Sequence, residues 1–448
     1  MKLEAQPRKL FQGSFAGWVR AAFAALFFPY FWLARRRFPR IVLGGLAIDS
    51  RCLRKMFWFG ILVVSLCITI WEPLYKVLVA RSFDLTAVAA GAQHPQGAAS
   101  GPMSGKRVIF DETFQFWSTR GAADHTLNRI KEAGFTVYVP VVWYGAGTTW
   151  PSRHAPWDPT VAKQAAAGFD PLGYVIAKAH SLGIEVHPWF TVALRRSDIF
   201  PDLALQGVFE RGELGIFDIH NPRFRALITD LIVEVVRNYD VDGINLDYIR
   251  AMGLCLNIAC RNEYRGRYHR DLETDAALFR VAPRLVPSLI EYQESTVTGL
   301  VRQISGEVRA VKPTVPISAD AFPELTDYLN GQNSIEWVNR GDVDVLFRMD
   351  YAQNIDYAST DSVRARLKSP DRLTVIAGNY DLVSNGAVPR SGRWLVQTMR
   401  EMTARWPRSG VALYLYNQLS DEQVEALKRD NRRIQSGGLG SPIRLEGD

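Results

Sequence analysis

A closed (β/α)8 barrel of the TIM type, preceded by a membrane-anchor segment and a flexible linker, is the architecture predicted by three features of the sequence. Apolar, β-rich runs alternate with amphipathic helical patterns throughout residues 106–430. The alternation repeats eight times, which implies parallel strands and favours a closed barrel over an open sheet. Upstream, a basic and apolar segment is separated from this region by an Ala/Gly/Pro/Ser/Gln-rich stretch.

In chain order, the first strand is expected at 108–110 and a helix at 124–133, stopped by Gly134 as a C-terminal cap. The β-rich run 136–143 is the second strand. A helix at 170–182 ends at Gly183, and 184–192 (IEVHPWFTV) reads as the third strand. The helix 224–239 leads into 243–248, the fourth strand. Further pairs follow: helix 296–311 then strand 315–319, helix 335–339 then strand 343–349, helix 361–367 then strand 373–377, and helix 394–406 then strand 411–416. A last helix, 421–428, completes the set, and 431–448 is a C-terminal tail. No dinucleotide or phosphate-loop glycine pattern follows any of these strands.

Charge divides the chain. Residues 1–55 hold eleven Lys and Arg against Glu4 and Asp49, a local +9 that leaves −2 for the remainder of a chain whose total is +7. The basic excess is therefore local, which argues against a nucleic-acid footprint on the main domain. Residues 1–55 are expected to be cytoplasmic or interfacial. A charge-free apolar run, 56–71, follows Arg35, Arg36, Arg37, Arg40, Arg51, Arg54 and Lys55. Extended to 75, it is expected to be a single inner-membrane span. The positive-inside rule then places the main domain on the periplasmic or extracytoplasmic side. An earlier apolar run, 15–34, is either a second span or a helix lying in the interface. Residues 76–105 form the flexible tether.

In a barrel of this kind, chemistry belongs at the C-terminal ends of the strands. Those ends carry Asp111 and Glu112, Trp143 and Tyr144, His187 and Trp189, Asn245, Asp247, Tyr248 and Arg250, Asp320, Arg348, Asp350 and Tyr351, Asn379, Tyr380 and Asp381, and Tyr414, Tyr416 and Asn417. Carboxylates, amides and aromatic rings around one mouth suit a carbohydrate, because paired carboxylates supply the acid and the base or nucleophile of glycosidic cleavage. Asp247 ends the run Ile244-Asn245-Leu246-Asp247 and is the first catalytic candidate, as nucleophile or base. Asp320 and Asp350 are the candidates for general acid, unless either only neutralises Arg348 or Arg250. Expected substrate contacts are His187, Trp189, Asn245, Tyr248, Arg250, Arg348, Tyr351, Trp143, Tyr380 and Tyr416, with Trp143 and Trp189 equally suited to packing. His187 reads as a rim residue, since no HxH or HExxH pattern accompanies it. No metal site and no cofactor is expected. Cys255 and Cys260 have a spacing that permits a local disulfide outside the cytoplasm; free thiols are the alternative.

Several stretches resemble the glycosyl-hydrolase-like 10 family. They are Asp170-Pro171-Leu172, the run from Ala179-His180-Ser181-Leu182-Gly183 to His187-Pro188-Trp189-Phe190, Phe217-Asp218-Ile219-His220-Asn221-Pro222, Asn238-Tyr239-Asp240-Val241-Asp242-Gly243-Ile244-Asn245-Leu246-Asp247-Tyr248-Ile249-Arg250, and Trp337-Val338 with Met349-Asp350-Tyr351. The resemblance implies a TIM barrel that hydrolyses an O-glycosidic bond, with Asp247 as a catalytic carboxylate. Where that family usually has Tyr-Pro after Asp-Tyr-Ile-Arg, this chain has Ala251-Met252-Gly253 and a Cys-containing insert, which implies a differently shaped neighbouring subsite. The expected partner is a polysaccharide or oligosaccharide, reached from the membrane and within an envelope polysaccharide machinery. The alternative is a catalytically weak polysaccharide-binding protein of an exopolysaccharide synthesis or export system.

Overall fold

The computed structural model describes residues 101–435, except 197, 206, 210–214, 324–326 and 385, together with a short antiparallel ribbon, Arg40–Leu43 paired with Leu46–Asp49. The chain divides into two compact units, Met1–Ala98 and Ala99–Asp448. The expected span at 56–75 lies outside the described residues. Among those described, no helix is long and apolar enough to cross a membrane.

The second unit is built on eight parallel strands: β1 Arg107–Asp111, β2 Val137–Trp143, β3 in two pieces (Glu185–Val186 and Trp189–Thr191), β4 Ile244–Asp247, β5 Ile317–Ala321, β6 Val345–Asp350, β7 Leu373–Gly378 and β8 Val411–Tyr414. Each pairs with the next, and β8 pairs with β1, so the sheet closes on itself. The third strand is interrupted at His187-Pro188, because Pro188 has no N–H to give to the ladder.

The barrel helices are α1 Arg120–Ala133, α2 Pro171–Ser181, α3 Pro222–Asn238, α4 Pro287–Val311, α5 Ser334–Arg340, α6 Tyr357–Arg364, α7 Gly392–Arg405 and α8 Asp421–Gln435. Local chemistry starts several of them. Thr119, Asp170, Asn221 and Ser391 each accept a backbone N–H from the first turn, and Pro stands at the start of α2 and α3. The cap at Thr119 explains why α1 begins four residues before the expected position. At the other end of the chain, α8 runs on to Gln435, beyond the expected start of the tail.

Inside the barrel, Phe110 meets Trp189 and Phe347 edge to face, with centroids 5.6 and 5.3 Å apart. These rings form an apolar floor beneath the mouth. At the opposite end, His187 is packed so closely against Gly243 that a Cβ there would lie 2.4 Å from the imidazole. Gly243→Ala is therefore expected to destabilise the protein by about 1–3 kcal/mol, measurable as a lower urea midpoint with an unchanged slope.

Between β4 and α4 the chain leaves the barrel to form an insert with its own small core. The strand Gly253–Cys255 pairs with Gly207–Phe209, and the helices Ile258–Tyr268 and Leu272–Val281 follow. Leu254, Cys255, Cys260, Tyr264, Leu272, Leu289 and Tyr292 are buried together there. Cys255 and Cys260 are joined by a disulfide.

Candidate active site

Strand alternation decides which side chains reach the mouth. Phe110, Trp189 and Phe347 face inward, so the residues paired with them in the parallel ladder face inward too. Asn245 pairs with Trp189 and with Ser318, and Leu246 pairs with Ala319. One step further along this register, Asp247 stands beside Asp320 on the inner face. Neighbouring strands lie about 4.8 Å apart, so the two carboxylates share one small volume at the mouth.

Asn245 holds the deeper member. Its Nδ2 donates to Asp320 Oδ1 at 2.8 Å and to Ser318 Oγ at 3.1 Å, and all three residues are buried. The other carboxylate is fixed by backbone. Tyr248 N–H donates to Asp247 Oδ1 at 2.6 Å, while the carbonyls of Asp247 and Tyr248 accept from Val192 and Ala193. This turn forces Tyr248 into the left-handed region at φ 49°, a conformation that costs a non-glycine residue energy and is concentrated at functional sites. Arg250 lies over the Tyr248 ring, 4.5 Å from its centroid.

Burial raises the pKa of Asp247, opposed by Arg250, by the Tyr248 N–H and by the Trp189 indole, which lies nearby outside full hydrogen-bond geometry. Asp320 is pushed up further, first by burial and then by the charge on Asp247; Asn245 and Arg250 pull the other way. Two carboxyls in one desolvated volume resist ionising together, so the pair tends to retain a proton.

Tyrosines and a third carboxylate complete the rim. Tyr351 stacks on Tyr414 with centroids 4.9 Å apart, and Tyr380 leans on Tyr414 at 6.1 Å. Gly378 permits this, because a Cβ there would come within 3.3 Å of Tyr351. Burial and the charges of Asp247 and Asp320 keep the Tyr351 hydroxyl protonated. The Tyr414 hydroxyl donates to Glu112 Oε2, and burial raises the Glu112 carboxyl. Arg196 covers the Tyr144 ring at 4.0 Å. Glu112, Tyr144 and Tyr414 occupy strand ends visible in the sequence, whereas Arg196 comes from a loop with no sequence signal.

Five expected site residues lie elsewhere. Arg348 and Asp350 take the outer face of β6, where Arg348 Nη1 donates to Asp350 Oδ2 at 2.6 Å and the Asp350 carboxylate also accepts from the backbone of Ala352 and Asp356. Asp350 is therefore a structural anion that balances Arg348. His187 sits at the N-terminal end of the barrel, 3.3 Å from Glu185 and fully covered, because β3 continues to Thr191 beyond the Pro188 break. A bulge between Val141 and Trp143 turns Trp143 outward, onto Phe217. Tyr416 follows the end of β8 and packs on Phe116 and Thr126. Trp189 faces inward, its ring part of the apolar floor and its indole N–H beside Asp247.

The mouth thus holds a buried carboxylate pair, a cation and a tyrosine-lined rim, which can supply acid–base chemistry to a polar substrate with flat apolar faces. Residues 111–369 match the glycosyl hydrolase-like 10 family. Over 189 residues the chain is 25% identical to glycosyl hydrolase DigH of Escherichia coli K12, covering 37% of this chain and 39% of that protein. Glycosyl hydrolase YngK of Bacillus subtilis is 21% identical over 256 residues, 49% of this chain and 46% of that protein. The chain thus spans less than half the length of these curated relatives. Among solved structures, the glycoside hydrolase domain of PgaB (BpsB) from Bordetella bronchiseptica superposes with a TM-score of 0.56 at 13% identity, covering 72% of this chain and 98% of that one. An α-L-fucosidase from Paenibacillus thiaminolyticus gives 0.51 at 14% identity, over 75% of this chain and 51% of that one. At such identities the likeness is one of fold.

Proposed function

We propose that this chain, which belongs to the glycosyl hydrolase-like 10 family, hydrolyses O-glycosidic bonds of an envelope or extracellular polysaccharide. The observation that carries this reading is the in-register pair Asp247 and Asp320, both buried at the mouth and both raised in pKa. Asp320, the more strongly raised, is the general acid that protonates the leaving oxygen. Asp247, whose ionised form Arg250 and the Tyr248 N–H favour, is the nucleophile or the base that activates water. Arg250, Tyr248, Tyr351, Tyr380 and Tyr414 bind the sugar, with Tyr351 and Tyr414 offering ring faces to its apolar side. Glu112 holds Tyr414 in place.

The domain acts outside the cytoplasm, tethered by a span at 56–75. The run of arginines and lysines ahead of that segment supports this orientation. So does the Cys255–Cys260 disulfide, since such bonds persist in oxidising compartments.

The test is release of reducing ends from a panel of bacterial polysaccharides, with the double variant Asp247→Asn/Asp320→Asn as the blank. Hydrolysis of at least one glycan by the parent and none by the variant is expected. Glycan retention without turnover by the parent would instead favour a polysaccharide-binding role in an export machinery, and sink the enzymatic reading.

A further inference from the structure

We infer that the insert carries a redox-gated metal site, built from Cys255, Cys260 and His220, that binds Zn(II) once the disulfide is reduced. The two sulfurs and a ring nitrogen of His220 lie within 4.8 Å of one another. Cys255 ends the short strand Gly253–Cys255, and Cys260 lies in the first turn of the helix Ile258–Tyr268. His220 reaches them from the turn before α3, so the three ligands come from separate segments that the fold brings together.

The imidazole is already arranged as a ligand. Its side chain is 5% exposed, and its Nδ1 lies 3.3 Å from Asp218 Oδ1, which also accepts the His220 backbone N–H at 2.9 Å. A carboxylate at Nδ1 favours the proton on that nitrogen and leaves the Nε2 lone pair available, the carboxylate–histidine arrangement that orients metal ligands. Nε2 is buried and has no hydrogen-bond partner among the described residues. Tyr292 stacks on the ring at 5.1 Å and fixes its plane.

In the oxidised protein the sulfurs are bonded to each other and offer no thiolate. A dithiol reductant supplies two electrons, the S–S bond breaks, and Cys255 and Cys260 become thiols while the reductant leaves as its own disulfide. Zn(II) then binds both sulfurs as thiolates, displacing two protons, with His220 Nε2 as third ligand and a fourth position open to water. Two thiolates and an imidazole suit Zn(II) over hard-oxygen cations such as Mg(II) or Ca(II). The ion would take over the disulfide's work of holding the insert, which leaves the barrel directly after Arg250, where Ala251 N–H donates to the Asn330 carbonyl at 2.7 Å.

The test uses the full chain, reduced with a phosphine that leaves no competing thiol, and titrated with Co(II) as a spectroscopic stand-in and then with Zn(II). One ion per chain with a thiolate-to-cobalt charge-transfer band is expected after reduction, and none before it. Binding by the oxidised protein, or no binding after reduction, overturns the site. Asp218→Asn is expected to weaken affinity roughly 10–100-fold while the chain stays folded, and His220→Ala to weaken it at least as much. Parental affinity in both variants would show that the thiols alone capture the ion, and also overturns the site.

Discussion

Replacing Asp247 with Asn is expected to reduce glycan hydrolysis by on the order of 10²–10⁴-fold and, at the same time, to raise the melting temperature. Both effects follow from one geometry. The carboxylate stands in register with Asp320 in a buried volume, so its charge is useful to a developing positive centre and costly in the resting protein. A neutral amide of the same shape removes the chemistry and relieves the repulsion, and Asn can still accept the Tyr248 N–H. The loss should fall on kcat, with KM little changed, if the group acts mainly in the transition state. Asp320→Asn should behave differently. Its deficit should be large on the natural glycan and small on an aryl glycoside whose leaving group needs no protonation. Rate measurements on both substrates, with a thermal melt of each variant, separate the roles. If Asp247→Asn loses stability along with activity, the residue is structural; if it keeps full activity, the assignment is wrong.

The barrel is legible in the sequence because burial on both faces makes each parallel strand a continuous apolar run, and because Thr, Asp, Asn and Pro punctuate the helix starts. The tips of β4 and β5 are legible for the same reason: Asp247 and Asp320 interrupt apolar runs where a strand must end. What a strand end does not reveal is which face a residue takes. Arg348 and Asp350 share a strand with Phe347 and precede Tyr351, yet only the odd-numbered positions face inward, a fact set by pairing with β5. A one-residue bulge has the same consequence for Trp143, since a single extra residue reverses the face. His187 fails for another reason: Pro188 interrupts the strand without ending it. His220 stands 35 residues before Cys255, and no local pattern announces that the two will meet.

Asp111 is expected to make the protein less stable as pH rises from about 4 to 7. It lies on the outer face of β1, fully buried, with its carboxylate accepting the Tyr138 hydroxyl at 2.6 Å and the Thr113 N–H at 3.1 Å. These two bonds favour the ionised form, but burial outweighs them and raises the pKa from 3.8 to about 7. The folded protein therefore holds this proton more tightly than the unfolded chain does, and stability falls with pH wherever the native state binds more protons. Below about pH 4 the group is neutral in both states and costs nothing. Above about pH 7 it is ionised in both states, and the full penalty, on the order of 4 kcal/mol at 1.36 kcal/mol per pKa unit, is in place. Burial raises other carboxyls as well, Asp247 and Asp320 among them, so the decisive quantity is a difference between proteins. Asp111→Asn remains neutral throughout, and its amide can keep both contacts. Urea unfolding of the two proteins at a series of pH values should show the variant gaining on the parent by up to about 1.4 kcal/mol per pH unit between pH 4 and 7. The gain should level off above that window. A difference that stays constant from pH 4 to 8 would mean that Asp111 ionises as freely inside the barrel wall as in water, and that the Tyr138 and Thr113 bonds, rather than burial, set its charge.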